Sequence, residues 1–174
     1  MKSPMRCVLG AMGLAIVLAA PAMAQVSTNR VAAETDWSIF VEGDPKECWG
    51  VSAPKETVNT KDGKSVSVRR GDILLFLTFS PGAPGVVAFT GGYPFAPGST
   101  VGMDIGGTKF DLATEGEWAW PGSVEDDAKV IAALKAGTTA VLTARSARGT
   151  QTKDTFSLLG FSAALEEASK RCAN

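Results

Sequence analysis

The chain contains no histidine. That absence removes the Ser-His-Asp triad, the Cys-His pair, histidine-based zinc sites and the commonest general base near neutral pH. Carboxylate, lysine or serine–lysine chemistry is what remains. Ser52-Ala53-Pro54-Lys55 has the S-x-x-K spacing of serine–lysine acylation. That chemistry needs the two residues one helical turn apart, whereas Pro54 follows an extended run and no S-D-N or K-T-G partner occurs. A strand end and a turn are expected there. Glu125-Asp126-Asp127 spells an acidic cluster, but it opens a helix, where carboxylates offset the dipole. Arg70-Gly71-Asp72 matches an adhesion tripeptide, and is equally ordinary turn chemistry. The sequence spells no catalytic set, metal-ligand set or cofactor fingerprint.

The residues best suited to a contact surface are aromatic and basic. Trp118 and Trp120 lie two apart, so on a strand they share one face. Buried, they would belong to the core. Exposed, they would make a platform for a sugar or a partner protein, with Tyr93 as a neighbour. Arg145 and Arg148 flank a turn, where they would either bind an anion or sit as a solvated hairpin tip. Tyr93, Trp118, Trp120, Arg145 and Arg148 therefore form the candidate partner-binding surface.

The elements that must position them are mostly short and alternating. Asp36 to Val41, Glu47 to Ala53 and Ser65 to Arg69 read as strands. In the third, Val66 and Val68 point inward. Pro54 to Gly63 reads as a polar connection ending in an Asp62-Gly63 turn, and Arg70 to Asp72 as a tight link. Ile73 to Phe79 is apolar on both faces, which fits a strand covered on both sides. Val86 to Phe89 is a further strand. Gly106-Gly107 separates two alternating runs and signals a hairpin. Ser123 with Asp126 starts a helix over Val124 to Ala136, with Gly137 as its stop. Thr138 to Ser146 and Thr150 to Leu159 are strands. Phe161, Ala164, Leu165, Ala168 and Cys172 then form one helical stripe, with Glu166–Lys170 and Glu167–Arg171 as ion pairs on the wet face. Nine or ten strands, two helices and no βαβ alternation predict a mainly β protein. The expected form is an antiparallel two-sheet β-sandwich with two peripheral helices.

The first 24 residues carry Lys2 and Arg6, a short apolar run, Pro21 and Ala22-Met23-Ala24, the pattern of a secretory signal peptide. The run is short for a membrane anchor, so the mature chain is expected to have no transmembrane segment and to reach the periplasm, the outer surface or the medium. Residues 25–35 read as a flexible leader and 36–174 as one domain. Of 17 basic residues Lys2 and Arg6 leave with the signal, so the 18 acidic ones prevail. The basic residues are scattered, with no nucleic-acid footprint. Cys48 and Cys172 remain, and an oxidising compartment pairs them if geometry allows; otherwise they stay free thiols.

With DWSIFVE…ECWGVSAP near the mature start, a middle helix closing on LKAG, and RGTQTKDTFSLLGFSAALEEASKRC at the end, the chain resembles the invasion-associated locus B family of exported alphaproteobacterial proteins. The resemblance implies an envelope location and no known catalysis. It also implies a second cysteine pair, which this chain lacks, having Trp118-Ala119-Trp120-Pro121 in that region. The expected function is a non-enzymatic binding module for an envelope protein, a glycan or a host surface. The alternatives are an enzyme acting on envelope polysaccharide through carboxylates or lysine, and a structural assembly protein.

Overall fold

The computed structural model describes residues 29–173. The expected signal peptide lies outside them. Twelve strands and two helices follow one another: β1 (Arg30–Glu34), β2 (Trp37–Glu42), β3 (Glu47–Ser52), β4 (Glu56–Lys61), β5 (Lys64–Ser65), β6 (Leu74–Phe79), β7 (Val86–Thr90), β8 (Thr100–Ile105), β9 (Thr108–Glu115), β10 (Trp118–Trp120), α1 (Val124–Ala136), β11 (Thr139–Arg145), β12 (Gln151–Ser157) and α2 (Phe161–Cys172). The fold is mainly β. All strands join one antiparallel sheet in the order β1-β2-β3-β6-β7-β10-β9-β8-β11-β12-β4-β5. The sheet curls, because its inner residues meet across it. Phe89 on β7 packs edge-to-face on Phe156 of β12, 6.1 Å away, although four strands lie between them in the sheet order.

Alternation sets the inner face. Trp37, Ile39, Leu75, Leu77, Val87, Phe89, Leu112 and Phe156 are essentially inaccessible, and outside β7 the residues between them are more exposed. The α2 stripe lies on β2 and β3. Trp37 meets Phe161 edge-on at 5.0 Å. Gly50 leaves room for Ala164, whose Cβ sits 3.6 Å from where a Gly50 side chain would begin. The stripe ends at Cys172, which bonds Cys48 with the two Cα atoms 5.7 Å apart. The bridge closes a loop with a sequence separation of 124, a constraint worth about 4–5 kcal/mol in the chain-entropy model.

Helix and turn signals act locally, and most appear as expected. Ser123 caps α1 by accepting from the Asp126 N–H. Asp126 is too short to return the bond to the cap backbone, and its carboxylate accepts from the Ser123 hydroxyl instead. Gly106 and Gly107 both have positive φ in the β8–β9 hairpin, as do Asp62 and Gly63 between β4 and β5. Gly137 stops α1 for a reason other than a left-handed turn, since its φ is −87°. A Cβ there would lie 2.5 Å from Ile105 Cγ2. Of the two expected ion pairs on α2, Glu167–Arg171 forms at 2.6 Å.

Four expectations change. Residues 30–34, read as part of a flexible leader, form the edge strand β1 against β2. Residues 56–61, read as a connection, form β4. Most of β4 is solvated and only Asn59 and Thr60 are half-buried, so hydrophobic periodicity carries no signal there. Its place comes from backbone pairing with β12. The strand expected over 65–69 shrinks to the Lys64–Ser65 pair, and Val68 points outward at 39% exposure. Finally, β6 is covered on one side only: Leu75 and Leu77 are buried, whereas Leu74 and Phe76 stay partly open to solvent.

Candidate functional site

The outer face left open by β6 is aromatic. Residues paired across an antiparallel ladder share a face, and the register aligns one row as Phe40, Trp49, Thr78 and Val86. A second row runs Val51, Phe76 and Ala88, and a third Leu74, Thr90 and Trp118. Phe40 and Trp49 stack at 5.7 Å. Trp118 leans on Phe76 at 5.6 Å and stacks on Trp120 at 6.3 Å with planes 19° apart. Trp118 is 40% exposed. Trp120, Phe76, Trp49 and Phe40 are half-buried. The strand places the two tryptophans here because Ala119 between them points inward and is fully buried.

Tyr93 and Arg148 belong elsewhere. They line a cleft of about 460 Å³ at which four connections converge. Arg69 and Arg70 come from the β5–β6 link, Tyr93 from β7–β8, Glu117 from the β9–β10 turn and Arg148 from β11–β12. Arg145 is exposed on the same hairpin as Arg148 and does not line the cleft. The five candidate residues thus divide into a Trp118–Trp120 face, a Tyr93–Arg148 cleft and an outlying Arg145.

The cleft is built on an ion pair that the residue pattern did not reveal. Arg70 donates from both terminal nitrogens to the Asp154 carboxylate, at 2.7 and 2.6 Å. Its Nε donates to the Gly91 carbonyl at 2.9 Å. The guanidinium also lies over the Tyr93 ring, 5.0 Å from its centroid, and the Tyr93 hydroxyl bonds Thr152 Oγ1 at 2.6 Å. Burial pushes the Tyr93 phenol above its ordinary pKa, with the Thr152 bond acting against the shift. Arg70 is 6% exposed and Asp154 not at all. The Arg70-Gly71-Asp72 tripeptide therefore has its arginine locked inside. Asp154 did carry a signal: it alternates with Thr152 and Phe156 on the inward side of β12, and an inward carboxylate must find a partner.

The other candidates resolve into local bonding. Ser52 Oγ donates to the Asp36 carbonyl, while Lys55 pairs with the Asp36 carboxylate at 2.5 Å and holds it below the usual carboxylate range. The S-x-x-K residues thus serve the β1–β2 turn. Lys129 does the same for Asp126, with help from Ser123. Asp127 accepts from the Val87 N–H at 2.7 Å, anchoring α1 to β7. Burial raises the pKa of its carboxyl, the Val87 bond opposing this and Asp126 adding to it. Among the described residues no group of three or more Cys, Asp or Glu side chains is placed to hold a metal ion.

A family model for Invasion associated locus B (IalB) protein matches residues 37–169. The chain belongs to the IalB family. The crystal structure of invasion associated protein b from Bartonella henselae is similar, with a TM-score of 0.56 at 19% identity, covering 82% of this chain and 98% of that one. At that identity the likeness shows the IalB fold alone. No curated protein matches the chain. The family match takes in both the aromatic face and the cleft.

Proposed function

We propose that this IalB-family chain is an exported, non-enzymatic binding module of the cell envelope, and that it engages a protein partner through its aromatic outer face. The observation that carries the reading is the open Phe40–Trp49–Phe76–Trp118–Trp120 surface on the sheet side opposite α2. A contiguous apolar patch of this kind marks interaction sites, and Trp and Tyr dominate the energetics of such contacts. Several side chains in three adjacent rows suit a broad partner better than a single sugar ring. Export is supported by the residue pattern before Gln25 and by a disulfide that closes nearly the whole domain. Among the described residues no helix is long and apolar enough to cross a membrane.

The enzymatic alternative needs two carboxyl groups roughly 5–10 Å apart in a cleft. The cleft offers Glu117 on its lining, and Asp154 beneath it is already held by Arg70. That arrangement favours binding over acid–base work. The test is affinity capture of the mature protein from native envelope, beside a Trp118→Ala/Trp120→Ala variant. A specific protein recovered by the wild type and lost by the variant, at unchanged melting temperature, is the expected result. Equal recovery by both overturns the assignment. So does a concentration-dependent dimer of the wild type that the variant abolishes, because the face would then serve self-association.

A further inference from the structure

The arginine-lined cleft is separate in composition from the aromatic face and calls for a different ligand. We propose that it binds an acidic saccharide through the carboxylate of a hexuronate. Four observations support this. The volume, about 460 Å³, falls in the size range of small-molecule sites. Its floor is rigid, because Arg70, Asp154, Tyr93 and Thr152 are bonded to one another in one network. That network is internally neutral, so it offers the ligand a fixed surface and no net charge.

Charge enters at the rim. Arg69 and Arg148 line the cleft from two different connections. Among the described residues neither has an ion-pair partner, unlike Lys55, Arg70, Lys129 and Arg171, each of which is matched to a carboxylate. Two unmatched guanidiniums at one cavity suit a carboxylate, since the planar fork binds that group in a bidentate manner. The rest of the lining mixes the apolar Val68, Pro94 and Ala147 with the polar Glu117, Ser146 and Thr150, which suits a sugar ring with its C–H face and its hydroxyls. Glu117 and Thr150 supply an acceptor and a hydroxyl for sugar hydroxyls. The Arg70 cation on the Tyr93 ring leaves that residue a wall of the cavity, and its hydroxyl is already engaged by Thr152.

The test is calorimetric titration of the mature, disulfide-bonded protein with trigalacturonate, and with maltotriose as the neutral sugar of equal length. Trigalacturonate should bind and maltotriose should not, and the affinity should fall as salt rises. Arg69→Ala and Arg148→Ala should each weaken binding roughly tenfold or more, the loss expected for one charge-assisted contact. Both side chains are solvent-exposed, so circular dichroism should show an unchanged fold. Trp118→Ala should leave the affinity intact, which separates this site from the aromatic face. No binding of trigalacturonate at millimolar concentration overturns the proposal, as does equal binding of maltotriose. Equal binding of inorganic phosphate or citrate with the same arginine dependence overturns the saccharide assignment and leaves a general anion site.

Discussion

Removing the Arg70 side chain should cost this protein a large part of its stability. In Arg70→Ala, Asp154 keeps its place on β12 with no solvent access and no cation. It loses both guanidinium bonds, and the Gly91 carbonyl and Tyr93 ring lose their contacts as well. Truncating one partner of a buried ion pair typically costs about 3–5 kcal/mol. A domain is stable by roughly 5–15 kcal/mol, and each kcal/mol moves the melting temperature of a chain this size by about 2–4 °C. A fall on the order of 10 °C is therefore expected. Equilibrium urea unfolding followed by tryptophan fluorescence, with the disulfide intact, measures the free-energy loss, and a thermal melt measures the shift. Arg70→Lys should fall between, because an ammonium keeps the charge but cannot span both carboxylate oxygens and reach Gly91. The pair Arg70→Met/Asp154→Leu should recover much of the loss, since it removes both charges together. If Arg70→Ala lies within about 1 kcal/mol of the wild type, in the range of exposed pairs, or if the double variant is no better than the single, the reasoning fails.

Two further predictions concern residues with a single reason for being there. Gly160 has φ +89°, and a Cβ on it would sit 2.0 Å from the Glu34 carbonyl oxygen. Gly160→Ala should thus destabilise by at least about 2 kcal/mol, and amide exchange should show β1 loosened from its seat beside α2. Asp127 is 7% exposed, and burial raises its pKa in the folded state. The folded protein then holds this proton more tightly than the unfolded chain. The associated stability is complete at low pH and is lost as pH rises through the raised value. Asp127→Asn keeps the acceptor for the Val87 N–H without that loss. Its stability relative to wild type should rise between acid and neutral pH in paired urea titrations. Asp36 shifts the opposite way, losing stability as pH falls, but it is common to both proteins and cancels in the difference.

What the sequence determined by itself was everything that local physics decides. The α2 stripe, the Ser123 cap, the Asp62-Gly63 and Gly106-Gly107 turns and most of the alternating strands are written in spacing and residue type, because each depends on neighbours a few positions away. The lack of histidine narrowed the chemistry without any structure. Two cysteines in a chain with an export pattern implied their pairing, and the helical stripe placed Cys172 on the buried side. Tertiary structure alone decided the rest. β4 is mostly solvated, so only its backbone pairing with β12 reveals it as a strand. Arg70 lies 84 residues from Asp154, and no local pattern distinguishes it from the solvated Arg69 beside it. The apolar outer side of β6 reads in sequence as a covered face. Only the sheet order shows that Phe76 meets Trp118 in the open, and that Trp118 and Trp120 belong to that surface while Tyr93 and Arg148 belong to a cleft. Coverage and charge pairing are properties of how distant segments meet, and the curled sheet fixes both.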